Sequence, residues 1–458
     1  MPPLKRRLEF ALDNRALREA VLKSCRHSVA ARDAVVGELD DYEAARNKAR
    51  EIRQTALDNL NPLLDEFTAR FTDAGGTVHY AADSATACAA IIDIISRQPS
   101  AISRQPSAVS HQPSVISQGV KSKSMVSEEI GLGEALNEAG IDAVESDLGE
   151  FIVQLAGEPP SHITAPALHR SRRSIGQLFY KHLGIDFTDD PAKLTQAARA
   201  HLRQRFLKAD FGISGGNFLI ADTGHIVIVE NEGNAKMGLS LPPLYIAVTG
   251  LEKVIPSLHD LPHLLALLPR SATGQRITSY VHLLRPTREG EDGPCEMHLV
   301  VVDNGRRWAL NDPVLREMLL CIRCGACLNI CPVYQTVGGH AYGSVYPGPM
   351  GAVLSNLIGD RPEDYAELPN LSTLCGACRD VCPVKIDIPK LLLELRARLS
   401  KPMRERAAAM GWGWVMSSAR RAELAGRAAR IANSLLPNGL PGGWLDDVGR
   451  SFREGGGC

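Results

Sequence analysis

No stretch of this sequence approaches the ~20 consecutive apolar residues of a membrane span. The charged N-terminal segment MPPLKRRLEFALDNR is not followed by an apolar run of signal-peptide length. A cytoplasmic protein is therefore expected, at most peripheral at the inner face of a membrane. Excess charge is missing too: the 458 residues carry a formal net charge of −1, which speaks against nucleic acid as the main partner. Neither a P-loop nor a dinucleotide or flavin fingerprint occurs. What is present is a 44% hydrophobic content, ample for the cores of two or three domains, and eleven cysteines.

Seven of those cysteines fall in two short runs. CIRCGACLNICP supplies Cys321, Cys324, Cys327 and Cys331 at gaps of two, two and three residues, closed by Pro332. That is the spacing that wraps a [4Fe–4S] cluster, because gaps of two residues let one tight loop present three soft thiolates to a cubane. LCGACRDVCP repeats the pattern with Cys375, Cys378 and Cys382. In two-cluster ferredoxins the last Cys before Pro crosses to the other cluster. By that rule one cluster takes Cys321, Cys324, Cys327 and Cys382, and the other takes Cys331, Cys375 and Cys378. The second set is one ligand short, and Ser372 stands where its first Cys would be. Three readings follow: a [3Fe–4S] centre, a [4Fe–4S] centre with one open or oxygen-ligated iron, or a fourth ligand from outside the motif. The second ranks first, since Ser372, Thr373, solvent or substrate can fill an open iron. Zinc also favours paired Cys, but two motifs ending in Cys-Pro favour iron and sulfur. Cys25, Cys88, Cys295 and Cys458 have no ligand-like spacing and read as buried or spare thiols. Unprotected clusters and free thiols fit a reducing compartment.

In chain order, residues 1–72 form a helical lead-in, with Leu57, Leu60, Leu64 and Phe67 at helical spacing. An α/β alternation runs over 73–305, beginning with a strand at TVHYAAD and a helix at SATACAAIIDII. Within it, 96–119 is a low-complexity insert whose units SRQPSAI, SRQPSAV and SHQPSVI recur every seven residues; a proline in each excludes a heptad coiled coil. Lys121 and Lys123 suggest an anion site or a solvated strand end. Ser127 predicts a helix start and Gly140 its stop. The run Phe151–Leu155 predicts a buried strand, flanked by Glu145, Asp147, Glu150, His162 and His169, a set suited to metal binding, acid–base work or structure. Residues 218–221 and 226–229 predict a hairpin, and Glu230 and Glu232 would share a face if its second strand continued. Asp312 and Pro313 predict a helix running into Cys321. A two-cluster domain at 306–400 and a basic helical tail at 401–458 complete the chain. The tail has seven Lys or Arg and two Glu between 401 and 431, and carries Trp412 and Trp414, so it suits an anionic membrane or a partner.

Six longer stretches carry a resemblance: KSKSMVSEEIG, DLGEFIVQLAGEPPSHITAPALHR, FGISGGNF, VENEGNA, CIRCGACLNICPVYQTVGGHAYGSVYPGPMGAVL and LCGACRDVCPVKIDIP. On these the chain resembles the L-lactate utilisation iron–sulfur proteins, the LutB/YkgF (LldF-like) family. The resemblance implies an α/β LUD domain similar to CoA transferases and ribose-5-phosphate isomerase, followed by a mainly helical ferredoxin-type module with two [4Fe–4S] clusters. It implies a role in oxidising L-lactate to pyruvate with a Cys-rich partner and a second LUD protein. Lactate gives up two electrons and each cluster carries one, so an electron-transfer subunit is expected, relaying from a two-electron site in a partner or at the LUD interface. The rival expectation is a LUD ligase or acyl-transfer enzyme using Glu230 or Glu232, with His162 and His169 as further catalytic candidates and the clusters structural or sensing. A third is an assembly platform tethering partners at a membrane.

Overall fold

The computed structural model describes residues 2–97, 117–286, 292–398 and 403–435. From residue 98 to its end, the heptapeptide repeat lies outside the described residues. The chain divides into two compact units, Met1–Arg396 and Ala397–Cys458.

Four helices open the first unit: α1 (Leu4–Asp13), α2 (Arg15–Val36), α3 (Tyr42–Asp58) and α4 (Leu60–Asp73). Asn14 and Asp41 cap α2 and α3 by accepting backbone N–H bonds from Leu17 and Ala44. The chain then alternates through β1 (Thr77–Ala81), α5 (Ser84–Ser96), β2 (Gln118–Lys121), α6 (Met125–Glu129), α7 (Leu132–Glu138), β3 (Asp142–Glu145), α8 (Leu148–Ala156), α9 (Arg172–Leu183) and α10 (Pro191–Lys208). It continues through β4 (Phe211–Gly215), β5 (Phe218–Ile220), β6 (His225–Glu230), α11 (Asn234–Ser240), β7 (Leu244–Gly250), β8 (Val254–Ile255), α12 (Leu261–Thr273), β9 (Tyr280–Leu284) and β10 (Glu296–Val302).

Six strands form one parallel sheet in the order β1-β10-β7-β4-β2-β3. Parallel strands joined by helices are buried on both faces, which explains the unbroken apolar run LYIAVTG of β7, buried throughout. Leu244, Ile246 and Val248 pack towards α5 and α7, whereas Tyr245 and Ala247 meet Leu64, Phe67 and Phe71 of α4. A second, four-stranded sheet has the order β8-β5-β6-β9, with β5 and β6 the expected hairpin and Gly224 in its turn at φ +68°. At Gly212 a Cβ would lie 1.8 Å from the carbonyl oxygen of Gly238, so this position admits only glycine.

Four local expectations change. Phe151, Ile152 and Val153 are buried in a helix, α8, because Asp147 caps its start and Gly157, at φ +64°, ends it; a short apolar run alone does not separate the two states. The helix after KSKS starts one turn earlier, capped by Ser124, and breaks at Gly131 (φ +65°) before α7. Strand β6 ends at Glu230, so Glu232 leaves the sheet and is exposed. Leu315–Leu320 forms 3₁₀ turns, capped by Asp312, which accepts from the Val314 and Leu315 N–H groups.

After the α/β region the first unit becomes mainly helical: α13 (Arg306–Asn311), α14 (Ala326–Ile330), α15 (Pro332–Val337), α16 (Gly348–Leu354), α17 (Ala377–Asp380) and α18 (Ile388–Arg398). Its core is continuous with that of α2, α3 and α12. In the second unit α19 (Met403–Met416) and α20 (Ala419–Leu435) are described; Trp412 and Trp414 are exposed, with the Arg421 guanidinium 4.4 Å from the Trp414 ring. No described helix is long and apolar enough to cross a membrane.

Candidate metal centre

The two cysteine loops share one backbone. Arg323 and Leu374, each just before the second cysteine position, adopt φ of +61° and +56°, and the glycines two residues later, Gly325 and Gly376, have φ of +79° and +86°. A non-glycine residue in the left-handed region is uncommon and needs local compensation. In the first loop the compensation is a bond from Arg323 N–H to Cys321 Sγ at 3.4 Å. In the second, Leu374 N–H donates to Ser372 Oγ at 3.1 Å. Ser372 thus occupies the place of Cys321 and accepts the equivalent hydrogen bond. A short helix follows each loop, α14 and α17, carrying Cys327 and Cys378.

Electrostatic coupling sorts the seven thiols. Cys327 is pushed well up by burial and then by Cys321, Cys324 and Cys382, with Cys378 contributing least. Burial pushes Cys382 to about 11, with Cys321 adding to it. Cys378 is pushed to about 12 by burial, then by Cys331 and Cys375. Cys375 is exposed and goes the other way, lowered first by the Ala377 N–H and then by the Thr373 hydroxyl. Burial disfavours the thiolate form of the buried members, and a bound metal centre would supply the charge that favours it. Among the described residues no three His, Cys, Asp or Glu side chains gather around a point as a single metal ion requires. Cys25 of α2 is buried close enough to Cys331 to be raised by it, after burial, to about 12.

The lead-in turns out to clamp this region. Arg46, Arg50 and Arg53 lie at i, i+4 and i+7 on α3. Arg46 donates to the Cys382 carbonyl at 2.9 Å, Arg50 to those of Val384 and Lys385, and Arg53, fully buried, to those of Leu319, Leu320, Glu252 and Val254. From α2, Arg32 reaches the Val381 carbonyl at 3.3 Å. These guanidinium groups tie α2 and α3 to backbone oxygens of the irregular segments around the second motif and ahead of the first.

Beside the first loop lies a buried charge network. Glu252 pairs with Arg306 at 2.6 Å and with Arg323 at 3.3 Å; Arg306 also pairs with Glu129 at 2.8 Å, and Glu129 accepts from Tyr346 Oη at 2.7 Å. Burial would raise Glu252, but Arg306, Lys253 and Arg323 outweigh it and hold the carboxyl at about 2. Arg323 also stands over the Tyr346 ring at 5.0 Å. The network joins α6, the turn after β7, α13 and the first cysteine loop. Single charged residues at wide separation carry no motif, and only the helical spacing of the α3 arginines offered a sequence signal.

The other expected residues scatter. Glu145 and Glu128 neutralise Lys121, and Glu150 pairs with Lys123 at 2.5 Å, so neither lysine is free for an anion. Asp147 is a helix cap. His162 is buried, with Nε2 2.9 Å from Asn329 Oδ1 of the first motif and Nδ1 accepting the Thr164 N–H; burial lowers it to about 4. His169 bonds Glu158 at 2.9 Å and meets the His340 ring edge-on at 4.5 Å. Glu230 accepts the Ala235 and Lys236 N–H groups and pairs with His282 at 2.7 Å.

Comparison with known proteins agrees with this division. The LUD domain matches residues 64–303, and a 4Fe-4S dicluster domain matches 317–386. "Lactate utilization protein B" of Bacillus cytotoxicus is 43% identical over 408 residues, covering 88% of this chain and 82% of that one, and the protein of the same name from Bacillus thuringiensis matches to the same extent. A solved structure of a duf162 family protein from Deinococcus radiodurans aligns with 53% of this chain and 98% of its own at 12% identity, with a TM-score of 0.29, too low to establish a common fold. With an α/β LUD region followed by an iron–sulfur cluster-binding region, the chain belongs to the lactate utilization protein B family.

Proposed function

We propose that this chain is the iron–sulfur electron-transfer subunit of a complex that oxidises L-lactate to pyruvate. What carries the reading is the match of a 4Fe-4S dicluster domain over residues 317–386, which hold all seven cysteines of the two motifs. Cys321, Cys324, Cys327 and Cys382 would hold one [4Fe–4S] cluster, and Cys331, Cys375 and Cys378 a second, with Ser372 Oγ, Thr373, solvent or substrate filling the fourth position. Bound there, such clusters supply one-electron transfer.

The protein's own part is to hold and to shield. Arg46, Arg50 and Arg53 fix the loop carbonyls, and the Glu252 network holds Arg323 against the first loop. Cys375 and its loop face solvent, the side on which a redox partner can dock. The partners would be the Cys-rich protein and the second LUD protein that the family resemblance implies. The location would be the cytoplasm, with Trp412 and Trp414 of the tail available to a membrane surface or a partner. For the α/β region, the parallel sheet is in keeping with a CoA-transferase and ribose-5-phosphate isomerase-like fold. Nothing favours the ligase reading, since Glu230 is already engaged by two N–H groups and His282. The test is Cys327→Ser in an assembled complex. Loss of lactate-dependent reduction with assembly intact supports the relay, and unchanged turnover rejects it.

A further inference from the structure

The first cysteine loop forms part of the wall of a cavity of about 320 Å³, enclosed mainly by the LUD region. Aliphatic groups of Ile228, Val229, Val248 and Leu268 line much of it. Its carboxylates already have partners: Asp147 caps α8, Glu230 is bonded as described, and Glu232 accepts the Asn231 N–H at 3.3 Å. Of the three cations in the wall, Lys123 is paired with Glu150. The other two have donors left over. Lys253 is only 6% exposed; it lies near enough to Glu252 to help hold that carboxyl down but makes no hydrogen bond with any described residue. Arg323 spends one nitrogen on Glu252, and its buried Nη1 has no partner.

An unsatisfied buried guanidinium N–H is costly, and burial with Arg323 beside it lowers the Lys253 amine to about 7 against the attraction of Glu252; an anion in the cavity would complete the first and favour the charged form of the second. An apolar chamber of this size with a few convergent polar groups is the usual form of a small-molecule site. We propose that this cavity binds a small 2-hydroxy or 2-keto carboxylate, its carboxylate held by Lys253 with Arg323 beside it. The choice of acid rests on the lactate-oxidation reading; the anion site rests on Lys253 and Arg323. The acid then lies within this chain, against the Cys321–Cys324 loop, rather than wholly in a partner.

The test is equilibrium dialysis of L-lactate and of pyruvate against the anaerobically purified full chain, with acetate and inorganic phosphate as competitors. Electron paramagnetic resonance (EPR) of the reduced protein is recorded with and without each acid. Saturable binding, a ligand-induced shift of one cluster signal only, and at least tenfold weaker binding in Lys253→Met with recovery in Lys253→Arg are expected. Ala272→Phe, which fills the cavity from α12 without altering a charge, should weaken binding while leaving the unliganded EPR signals intact. Absence of binding, equal displacement by phosphate, or unchanged affinity in both Lys253→Met and Ala272→Phe overturns the proposal. Binding that survives in a complex whose clusters lactate never reduces would reject the relay and leave the site standing.

Discussion

The two cysteine loops have the same backbone and opposite surroundings. The first is sunk against the LUD region, with Arg323 tied to Glu252 and the cavity on its other side; the second carries an exposed Cys375 and a serine where the first has Cys321. A repeated loop has been placed once in a charged interior and once at the surface. Sequence identity between the loops therefore says little about what each can do: one adjoins a cavity and the other faces outward.

The largest effects should come from the cysteines that cross between loops. Cys382→Ser, in the second motif, should abolish the signal of the first set, and Cys331→Ser, in the first motif, that of the second. Each should cost about half of the iron. EPR with iron quantitation checks this, and loss of the signal from the loop that carries the mutation would break the crossed assignment.

Next comes the anchor of the first loop. Glu252→Gln leaves Arg323 without its carboxylate and Arg306 with Glu129 alone, and breaking a buried pair costs about 3–5 kcal/mol. Anaerobic urea unfolding should show that loss, with the first signal perturbed and the second unchanged. An equal response of both signals would mean that the network serves the whole module.

His162 gives a pH-dependent contrast. Its folded pKa of about 4 lies below the ordinary value near 6.5. The neutral ring therefore contributes fully above about pH 6.5, and the contribution, at most about 3 kcal/mol, is lost as the pH falls towards about 4. Protonation at Nδ1 would also evict the Thr164 N–H. The difference in stability between the protein and His162→Asn should shrink over that window; a pH-independent difference would show that the histidine does not titrate there.

The smallest change is Ser372→Cys, which completes a four-thiol second set. The second EPR signal should change shape and resist air better, while the first stays as it was. No change in the second signal would place the fourth ligand elsewhere.

Much of this was legible in one dimension. The cysteine spacing, the serine at 372 where the first motif has Cys321, the hairpin at 218–230 and the alternation of the LUD region all follow from local periodicity and chain geometry. The strand expected at Phe151–Leu155 became a helix because four apolar residues do not choose between states, whereas the Asp147 cap and Gly157 do. Helical spacing of Arg46, Arg50 and Arg53 was present in the sequence, but their carbonyl partners lie some 330 and 270 residues away.

What the sequence alone determined is the spacing of the cysteines: gaps of two and three residues suit a cluster because one tight loop can present three of them. Only the tertiary structure decided what surrounds each loop. Glu129, Glu252, Lys253, Arg306 and Arg323 come from segments up to 194 positions apart, each an ordinary charged residue in its own stretch. Burial makes them matter: away from water, the paired charges hold Arg323 and the first loop against the LUD region.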